Sequence, residues 1–442
     1  MGLPIGVGGF PAGIAGPPSG GFGGGPPIGI GGPALGIGNG IGRIGLPPGV
    51  QRARSSLSHL SQIPGQAEQA LSHLRDEVGR PKDPVLLSRA LAHDGQGHEI
   101  VRGELIAVSP NRADLAVARR LHFTILRRHR LSALGLLSVT LRVPRNMSAI
   151  SALALLRRTD PSGNFDYSSI YNPSGDGQGP GGPTSRLAVL PAANVTLGMI
   201  DGGIGTHHPA LAGSRISVRS FAGDGASPPT RHGTAIASLL IGRGRGFSGY
   251  LPGASLYAAD VFGGAADGGS ASDIARALNW LAANNIAVTN ISLSGPPNEL
   301  LAAAVKAFTD TGHVLVAAAG NNGPAAPPNY PAAYPGVICV TSVDASRRFQ
   351  LDANRNHCGF AALGVHVRAA RFPRGYASFT GTSYAAPVVT ARFGRLMPQP
   401  DLPDVLTIRS KLMRTARHIT ATNGTLFYLV AAQVASRGST AN

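Results

Sequence analysis

Hydrophobic and polar positions divide the first hundred residues into two stretches that lack a core-forming pattern. Residues 1–50 are almost all Gly, Pro, Ile, Ala or Leu, without the regular glycine spacing of a collagen helix. We expect this arm to be disordered or irregular. Residues 51–98 are polar, with short helical runs interrupted by Pro64 and ended by Pro81. This pattern predicts a polar helical linker.

Residues 99–171 have a different pattern, in which strand-like and helix-like segments follow one another. Their order is strand, helix, strand, strand, helix, strand, and Asn111 is placed to cap the first helix. This order is typical of a split βαβ, ferredoxin-like α+β domain. Residues 172–186 are glycine, proline and polar residues without periodicity, which predicts an exposed linker.

From residue 187 to 434, apolar strands alternate with amphipathic helices, and residues 435–442 form a short tail. One of these helices carries Ile274, Leu278 and Leu281 on a single face. The alternation predicts an α/β domain with a mostly parallel sheet and helices on both faces. In such sheets ligands bind beyond the carboxyl ends of the strands. Polar residues at these ends are therefore the candidates for chemistry.

Four residues of this kind stand out at strand or helix ends: Asp201, His232, Asn321 and Ser383. Each has an ordinary structural interpretation on its own, as a turn residue or a helix cap. Together they are what nucleophilic acyl transfer needs, because serine requires a base and the base requires an orienting carboxylate. An asparagine amide can bind the oxyanion that forms.

The same residues lie in stretches that resemble the subtilisin-like serine peptidases (subtilases, peptidase family S8). The order Asp, His, Ser is the one known for subtilisin, and the resemblance extends from about Val195 to Val434. The matching stretches are "DGGI" at Asp201, "HGTAIAS" at His232, "NISLSGP" at Asn290, "AAAGNNGP" at Ala317 and "GTSYAAP" at Gly381.

The resemblance implies a hydrolase, namely a serine endopeptidase that acts on proteins or peptides. Ser383 would be the nucleophile, His232 the general acid and base, and Asp201 its orienting partner. Asn321 would bind the oxyanion together with the Ser383 N–H. An edge strand would pair with extended substrate backbone, and its residues would be Ser292, Leu293, Ser294 and Gly295.

Two positions depart from the family pattern. Gly202 follows the aspartate, where the family usually has serine or threonine. Ser294 stands where the family usually has glycine, beside the expected primary pocket. The second departure leaves the pocket preference open.

Residues 99–171 resemble the amino-terminal propeptides of this family, which implies a zymogen that processes itself within 172–186. The propeptide would then be a partner that inhibits the cleft. The resemblance also implies a monomeric protease secreted to an extracellular or periplasmic location, although no signal peptide is recognisable at Met1. No apolar run is long enough to span a membrane. We expect no cofactor; family members often bind calcium, but no ligand set can be assigned.

Two other classes of function compete with this interpretation. A catalytically idle peptide-binding or surface-interaction protein could use the same scaffold. The net charge of +17 also raises the possibility of a nucleic-acid binder. Basic residues are scattered, however, apart from the cluster between Ala118 and Arg130, so no nucleic-acid partner is expected.

The two cysteines, Cys339 and Cys358, exclude a disulfide framework and a thiolate metal cluster. A single disulfide between them is one alternative. Free thiols are favoured, because Cys339 has the sequence context of a small core residue on a strand.

Overall fold

The computed structural model describes residues 91–429 except 176, 179–193, 224, 265–267, 356 and 422–423. The predictions made for residues 1–50, for most of the linker 51–98 and for the tail 435–442 lie outside the described residues. So does most of the linker 172–186.

The amino-terminal unit, residues 91–173, is an antiparallel sheet with two helices. The elements are β1 Leu91–His93, β2 Glu99–Val108, α1 Arg112–Arg120, β3 Thr124–Leu131, a 3-10 turn Ser132–Leu134, β4 Leu136–Arg142, α2 Ala149–Thr159 and β5 Phe165–Pro173. The strands pair in the order β5-β2-β4-β3, and β1 also pairs with β2. Asn111 caps α1 as predicted, since its side chain accepts hydrogen bonds from the N–H groups of Ala113 and Asp114.

The remaining elements form an α/β domain. Its helices are α3 Arg231–Ile241, α4 Ala271–Ala283, α5 Glu299–Asp310, α6 Thr382–Leu396 and α7 Leu402–Thr415. Its strands are β6 Gly177–Gln178, β7 Thr196–Asp201, β8 Ile216–Ser220, β9 Arg243–Gly244, β10 Phe247–Ser248, β11 Ser255–Asp260, β12 Gly269–Ser270, β13 Val288–Ile291, β14 Leu293–Ser294, β15 Val314–Ala318, β16 Ile338–Val343, β17 Phe360–Leu363, β18 Val367–Ala370, β19 Tyr376–Thr380, β20 Arg417–Ala421 and β21 Gly424–Leu429.

Nine of these strands form the central sheet, in the order β20-β21-β17-β16-β15-β13-β7-β11-β8. All neighbours are parallel except β20 and β21, which form an antiparallel edge. Strands β13, β15 and β16 are buried along their whole length, as expected for a sheet covered on both faces. The predicted mostly parallel α/β sheet is confirmed.

Helices cover both faces of the central sheet. One apolar cluster joins the sheet to α3 and α6, and a second joins it to α4 and α5. Ile274, Leu278 and Leu281 are buried in the second cluster, as their spacing predicts.

The amino-terminal unit packs on the second face, because side chains of β2 alternate between two cores. Leu105 and Ala107 contact the helices of the unit itself, whereas Ile106 and Val108 join the cluster around α4 and α5. The unit is thus bound to the α/β domain through an apolar surface.

Three local predictions differ from the structure. Leu91–His93, placed in the helical linker, form a strand that pairs with β2. Gly177–Gln178, placed in the linker 172–186, pair with β19. Cys339 and Cys358 form a disulfide, so the favoured interpretation as free thiols was wrong. In each case the structure is decided by a partner outside the segment itself, and for Gly177–Gln178 that partner is remote in the sequence.

Candidate active site

Asp201 and His232 are in direct contact at one end of the central sheet. Asp201 is the last residue of β7, and His232 lies in the first turn of α3. His232 Nδ1 is 2.8 Å from Asp201 Oδ1 and 3.0 Å from Oδ2, and both side chains are buried. Because a buried carboxylate holds the proton on Nδ1, the opposite nitrogen of the ring is left as the basic one.

Two glycines allow this contact. The Cβ of any residue at position 233 would lie 2.3 Å from the Gly202 carbonyl oxygen, so only glycine lets the start of α3 approach β7 this closely. A Cβ at position 202 would lie 2.7 Å from both Phe262 and Thr230. Gly202 is therefore required by packing in this chain, and its N–H donates to Asp201 Oδ1 at 2.8 Å.

Ser383 lies in the first turn of α6 and does not cap it. The N-cap residue is Gly381, which has no side chain to make a capping hydrogen bond. Ser383 Oγ is instead 2.5 Å from the carbonyl oxygen of Ser174 and 3.2 Å from that of Ser292. The next residue, Tyr384, has its ring 5.8 Å from the His232 ring, so the first turns of α3 and α6 lie side by side.

Asn321 follows β15 and binds the same carbonyl group as Ser383. Its Nδ2 donates to the Ser174 oxygen at 2.6 Å, and the Ser383 N–H donates to that oxygen at 3.3 Å. A single peptide oxygen therefore receives a side-chain amide, a helix N-terminal N–H and the serine hydroxyl. Two donors that converge on one carbonyl oxygen form the geometry of an oxyanion hole.

The chain on both sides of Ser174 is extended and paired as a strand. Ahead of it, Asn172 and Pro173 pair with Ser294 and Leu293 of β14, and the Ser174 N–H donates to the Ser292 oxygen at 2.9 Å. Tyr171 and Ile170 pair with β12 on the other side. Beyond Gly175, β6 pairs antiparallel with β19. The strand at Ser292–Gly295 thus holds an extended segment of this same chain.

Comparisons with known proteins agree with this geometry. The Subtilase family profile, Peptidase_S8, matches residues 192–430, which is more than half of the chain. The chain belongs to the subtilase family.

Individual relatives of this subtilase support the same assignment. Subtilisin Savinase of Lederbergia lenta is 31% identical over 264 residues, which cover 58% of this chain and 95% of that protein. The minor extracellular protease Epr of Bacillus subtilis is 29% identical over 51% of this chain and 36% of its own length. The crystal structure of fervidolysin from Fervidobacterium pennivorans, a keratinolytic enzyme related to subtilisin, has the same fold, with a TM-score of 0.61 and 19% identity over 77% of this chain and 62% of that one.

The predicted family and enzyme class are therefore confirmed, and the protein is a serine-type endopeptidase. It hydrolyses peptide bonds, so its substrates are proteins or peptides.

Sequence reasoning missed the polar network beneath Ser383. Asn290 on β13 donates to Ser292 Oγ at 2.9 Å and accepts from Thr390 Oγ1 at 3.0 Å, and Ser292 Oγ donates to the Ser383 carbonyl at 3.2 Å. All of these side chains are buried. They join β13 to α6 and so fix the height of Ser383 above the sheet. Asn290 lies within the quoted "NISLSGP" stretch, which was the signal available for it.

Asp260 was also missed, although it ends β11 directly beside Asp201. Burial raises the pKa of the Asp260 carboxyl, and the neighbouring Asp201 acts in the same direction. Hydrogen bonds from the N–H groups of Phe262 and Gly263 oppose this rise. Asp260 thereby organises the loop that packs on Gly202.

Beside Ser174 lies a cleft of about 1320 Å³ that is lined by both the amino-terminal unit and the α/β domain. Within the described residues, no three His, Cys, Asp or Glu side chains come together in a way that would hold a metal ion. None of the helices described is long and apolar enough to cross a membrane.

Proposed function

We propose that this subtilase is made as a zymogen whose first substrate is its own peptide bond between Ser174 and Gly175. In this proposal Ser383 is the nucleophile, His232 the general acid and base, and Asp201 the carboxylate that orients His232. Asn321 Nδ2 and the Ser383 N–H bind the oxyanion.

One observation carries the proposal, namely the environment of the Ser174 carbonyl oxygen. The nucleophilic oxygen is 2.5 Å from it, and both oxyanion donors already bind it. The carbonyl carbon lies one C=O bond, about 1.23 Å, from this oxygen. The bond is thus presented as a substrate bond would be, with the donors preorganised before charge develops.

Strand pairing on both sides defines the reacting bond. The five residues from Ile170 to Ser174 are held by β12 and by Ser292–Ser294, and β6 after the bond is held by β19. The next carbonyl oxygen, that of Gly175, accepts from the Tyr384 hydroxyl at 3.2 Å, whereas the Ser174 oxygen accepts from Asn321 Nδ2, the Ser383 N–H and the Ser383 hydroxyl. Backbone pairing of this kind also explains how one cleft accepts varied side chains.

The proposed reaction has two stages, acylation of Ser383 and hydrolysis of the ester. Ser383 Oγ attacks the Ser174 carbonyl carbon while His232 accepts the hydroxyl proton, and the oxygen becomes an oxyanion bound by Asn321. The C–N bond then breaks, His232 returns the proton to the Gly175 amine, and an ester joins Ser174 to Ser383. Water activated by His232 hydrolyses the ester and releases the Ser174 carboxylate.

The test is to follow the full-length chain after purification. Wild-type protein is expected to yield a fragment that begins at Gly175, identified by intact mass and by sequencing of its amino terminus. Ser383→Ala is expected to stay intact, whereas Ser346→Ala, a change at an exposed serine, is expected to process as wild type does. The rate should be independent of protein concentration, because the bond and the nucleophile belong to one chain.

Two outcomes contradict the proposal. Ser383→Ala protein that matures to the same fragment in pure solution would exclude self-cleavage. A new amino terminus at any residue other than Gly175 would exclude this bond as the first one cut.

We further infer that the amino-terminal unit remains bound as an inhibitor after cleavage. Besides the apolar surface, Asp166 Oδ2 accepts from the Glu299 N–H at 2.8 Å and Asn298 Nδ2 donates to the Tyr167 oxygen at 2.9 Å, both at the start of α5. None of these contacts involves the reacting bond, so cleavage leaves them in place. Activity should appear later than cleavage and coincide with loss of the unit.

The extracellular relative Epr favours export for this protease as well. Fractionation of the native producing cells, with detection of the fragment that begins at Gly175 in the medium or periplasm, tests this part of the proposal.

A further inference from the structure

An asparagine serves as an oxyanion donor only if its side-chain amide has one particular orientation. Rotation by half a turn would exchange Nδ2 for Oδ1, and the oxygen would then repel the developing negative charge. Residues that fix the amide of Asn321 therefore contribute to the rate without contacting substrate.

The Asn321 Oδ1 atom accepts two hydrogen bonds on the side away from Ser174. One donor is the Thr382 N–H at 3.1 Å, and the other is Gln350 Nε2 at 3.2 Å. Both are donors only, so they admit the oxygen of the amide and exclude its nitrogen. Asn321 Nδ2 is left facing the Ser174 carbonyl.

The orientation of Gln350 is itself fixed by Asp352. Gln350 Nε2 also donates to Asp352 Oδ1 at 2.7 Å. The nitrogen therefore faces two acceptors, and an amide turned the other way would bring its oxygen against a carboxylate. Gln350 is only 8% exposed, so water cannot readily replace either partner.

The segment that carries Gln350 is attached to the loop that carries Asn321. The Asn354 N–H donates to the Gly320 oxygen at 2.9 Å, and Asn354 Oδ1 accepts from the Asn322 N–H at 2.8 Å. The Gly323 N–H donates to the backbone carbonyl oxygen of Asp352 at 2.8 Å. These bonds fix residues 350–354 relative to residues 320–323, so that the side chains of Gln350 and Asn321 stay within hydrogen-bond distance of each other.

We propose that Gln350 is a positioning residue for catalysis, which holds the Asn321 amide with its nitrogen towards the oxyanion. The inference rests on the proposed role of Asn321. Gln350 acts through Asn321 alone, so its contribution disappears when the Asn321 amide is absent.

The experiment is a double-mutant cycle on the rate of self-cleavage of the full-length chain. Gln350→Met keeps the length of the side chain and removes the donor; we expect it to slow cleavage about tenfold, the effect of one hydrogen bond. Asn321→Ala is expected to slow cleavage by about 10²- to 10³-fold. Gln350→Met added to Asn321→Ala should cause no further loss. Leu351→Ala, at the neighbouring residue that is 93% exposed, is the matched control and should not change the rate.

A second variant and a second readout separate positioning from folding. Gln350→Glu replaces the donor by an acceptor and favours the wrong orientation of Asn321, so it should be slower than Gln350→Met. With the processed enzyme and a peptide that spans residues 168–179, both variants should lower kcat and leave KM within about twofold, since only transition-state binding is affected. Thermal unfolding in the Ser383→Ala background reports whether each variant folds.

The outcomes that overturn the inference are distinct from those that overturn the proposed function. If Asn321→Ala slows cleavage and Gln350→Met does not, Gln350 has no positioning role. The same conclusion holds if Gln350→Met slows the Asn321→Ala protein by the factor seen in wild type. If Asn321→Ala itself leaves the rate unchanged, the oxyanion assignment fails and the inference fails with it.

Discussion

Tyr171 is expected to be a main determinant of which peptides this protease accepts. Its side chain is fully buried, and its hydroxyl donates to the Pro296 carbonyl at 2.7 Å. Burial raises the pKa of the phenol well above its ordinary value, so the hydroxyl remains a donor. A Cβ at Gly295 would lie 2.6 Å from the ring, and the pocket therefore exists only because this residue is glycine.

The perturbation is made in peptide substrates that span residues 168–179, cleaved by the processed enzyme. Tyr171→Phe removes one buried hydrogen bond, worth about 0.5–1.5 kcal/mol, which corresponds to a loss of about two- to twelvefold in kcat/KM. Tyr171→Ala removes the ring, whose burial contributes about 4–6 kcal/mol as an upper bound. We therefore expect a larger loss for this peptide than for the Phe peptide, up to about 10³- to 10⁴-fold. Asn172→Ala is the control, because Asn172 is exposed, and its kcat/KM should change less than about twofold.

The assay quantifies the products of cleavage between Ser174 and Gly175 by mass spectrometry at several substrate concentrations. Peptides are preferable to variants of the intact chain, because a tethered segment has a high effective concentration that hides losses in binding. Equal kcat/KM values for the Tyr, Phe and Ala peptides would refute the reasoning. So would a Phe peptide that is cleaved faster than the Tyr peptide.

Two further predictions concern stability and are measured in the Ser383→Ala background, which prevents autolysis. Burial lowers the pKa of His313 below its ordinary 6.5, although a hydrogen bond to the Ile286 carbonyl partly opposes this. As the pH falls, the unfolded state therefore binds a proton at this histidine before the folded state does. The melting temperature should consequently fall as the pH drops below about 6.5. His313→Gln should flatten this dependence, and an unchanged slope would contradict the assignment. The disulfide between Cys339 and Cys358 closes a loop with a sequence separation of 19. Replacing both cysteines by serine should therefore lower the free energy of unfolding, measured by urea titration, by about 3 kcal/mol. An unchanged urea midpoint would show that the disulfide does not contribute to stability.

The parts of the fold that sequence predicted are those set by a pattern within one element. The alternation of buried strands and amphipathic helices depends on local spacing, and it correctly indicated the mostly parallel sheet. Asp201, His232, Asn321 and Ser383 are each attached to such an element at a defined end. The sheet brings Asp201 against His232, and the Ser174 carbonyl oxygen connects Asn321 with Ser383.

Sequence could not predict contacts that depend on remote partners. Ser174 lies in a stretch without periodicity, and nothing local distinguishes it from the other small residues there. Gln350 and Asp352 belong to a loop whose shape is set by its bonds to residues 320–323. The disulfide could likewise not be predicted, because the spacing of Cys339 and Cys358 does not show whether the chain before β17 comes back beside Cys339 on β16.

The helix start at Ser383 explains why capping was a reasonable interpretation of the sequence and yet incorrect. Gly381, Thr382 and Ser383 are adjacent, and the sequence does not show which of them is the N-cap residue of α6. In the structure Gly381 is the N-cap residue, and it has no side chain that could accept a hydrogen bond. Thr382 Oγ1 accepts from the Gly320 N–H at 3.0 Å and does not cap the helix. The first N–H groups of α6 are consequently bound by groups from outside the helix: the Thr382 N–H donates to Asn321 Oδ1 at 3.1 Å, and the Ser383 N–H donates to the Ser174 carbonyl oxygen at 3.3 Å. A helix N-terminus favours negative charge. In the proposed reaction, the Ser383 N–H is therefore placed to bind the oxyanion that develops on the Ser174 oxygen.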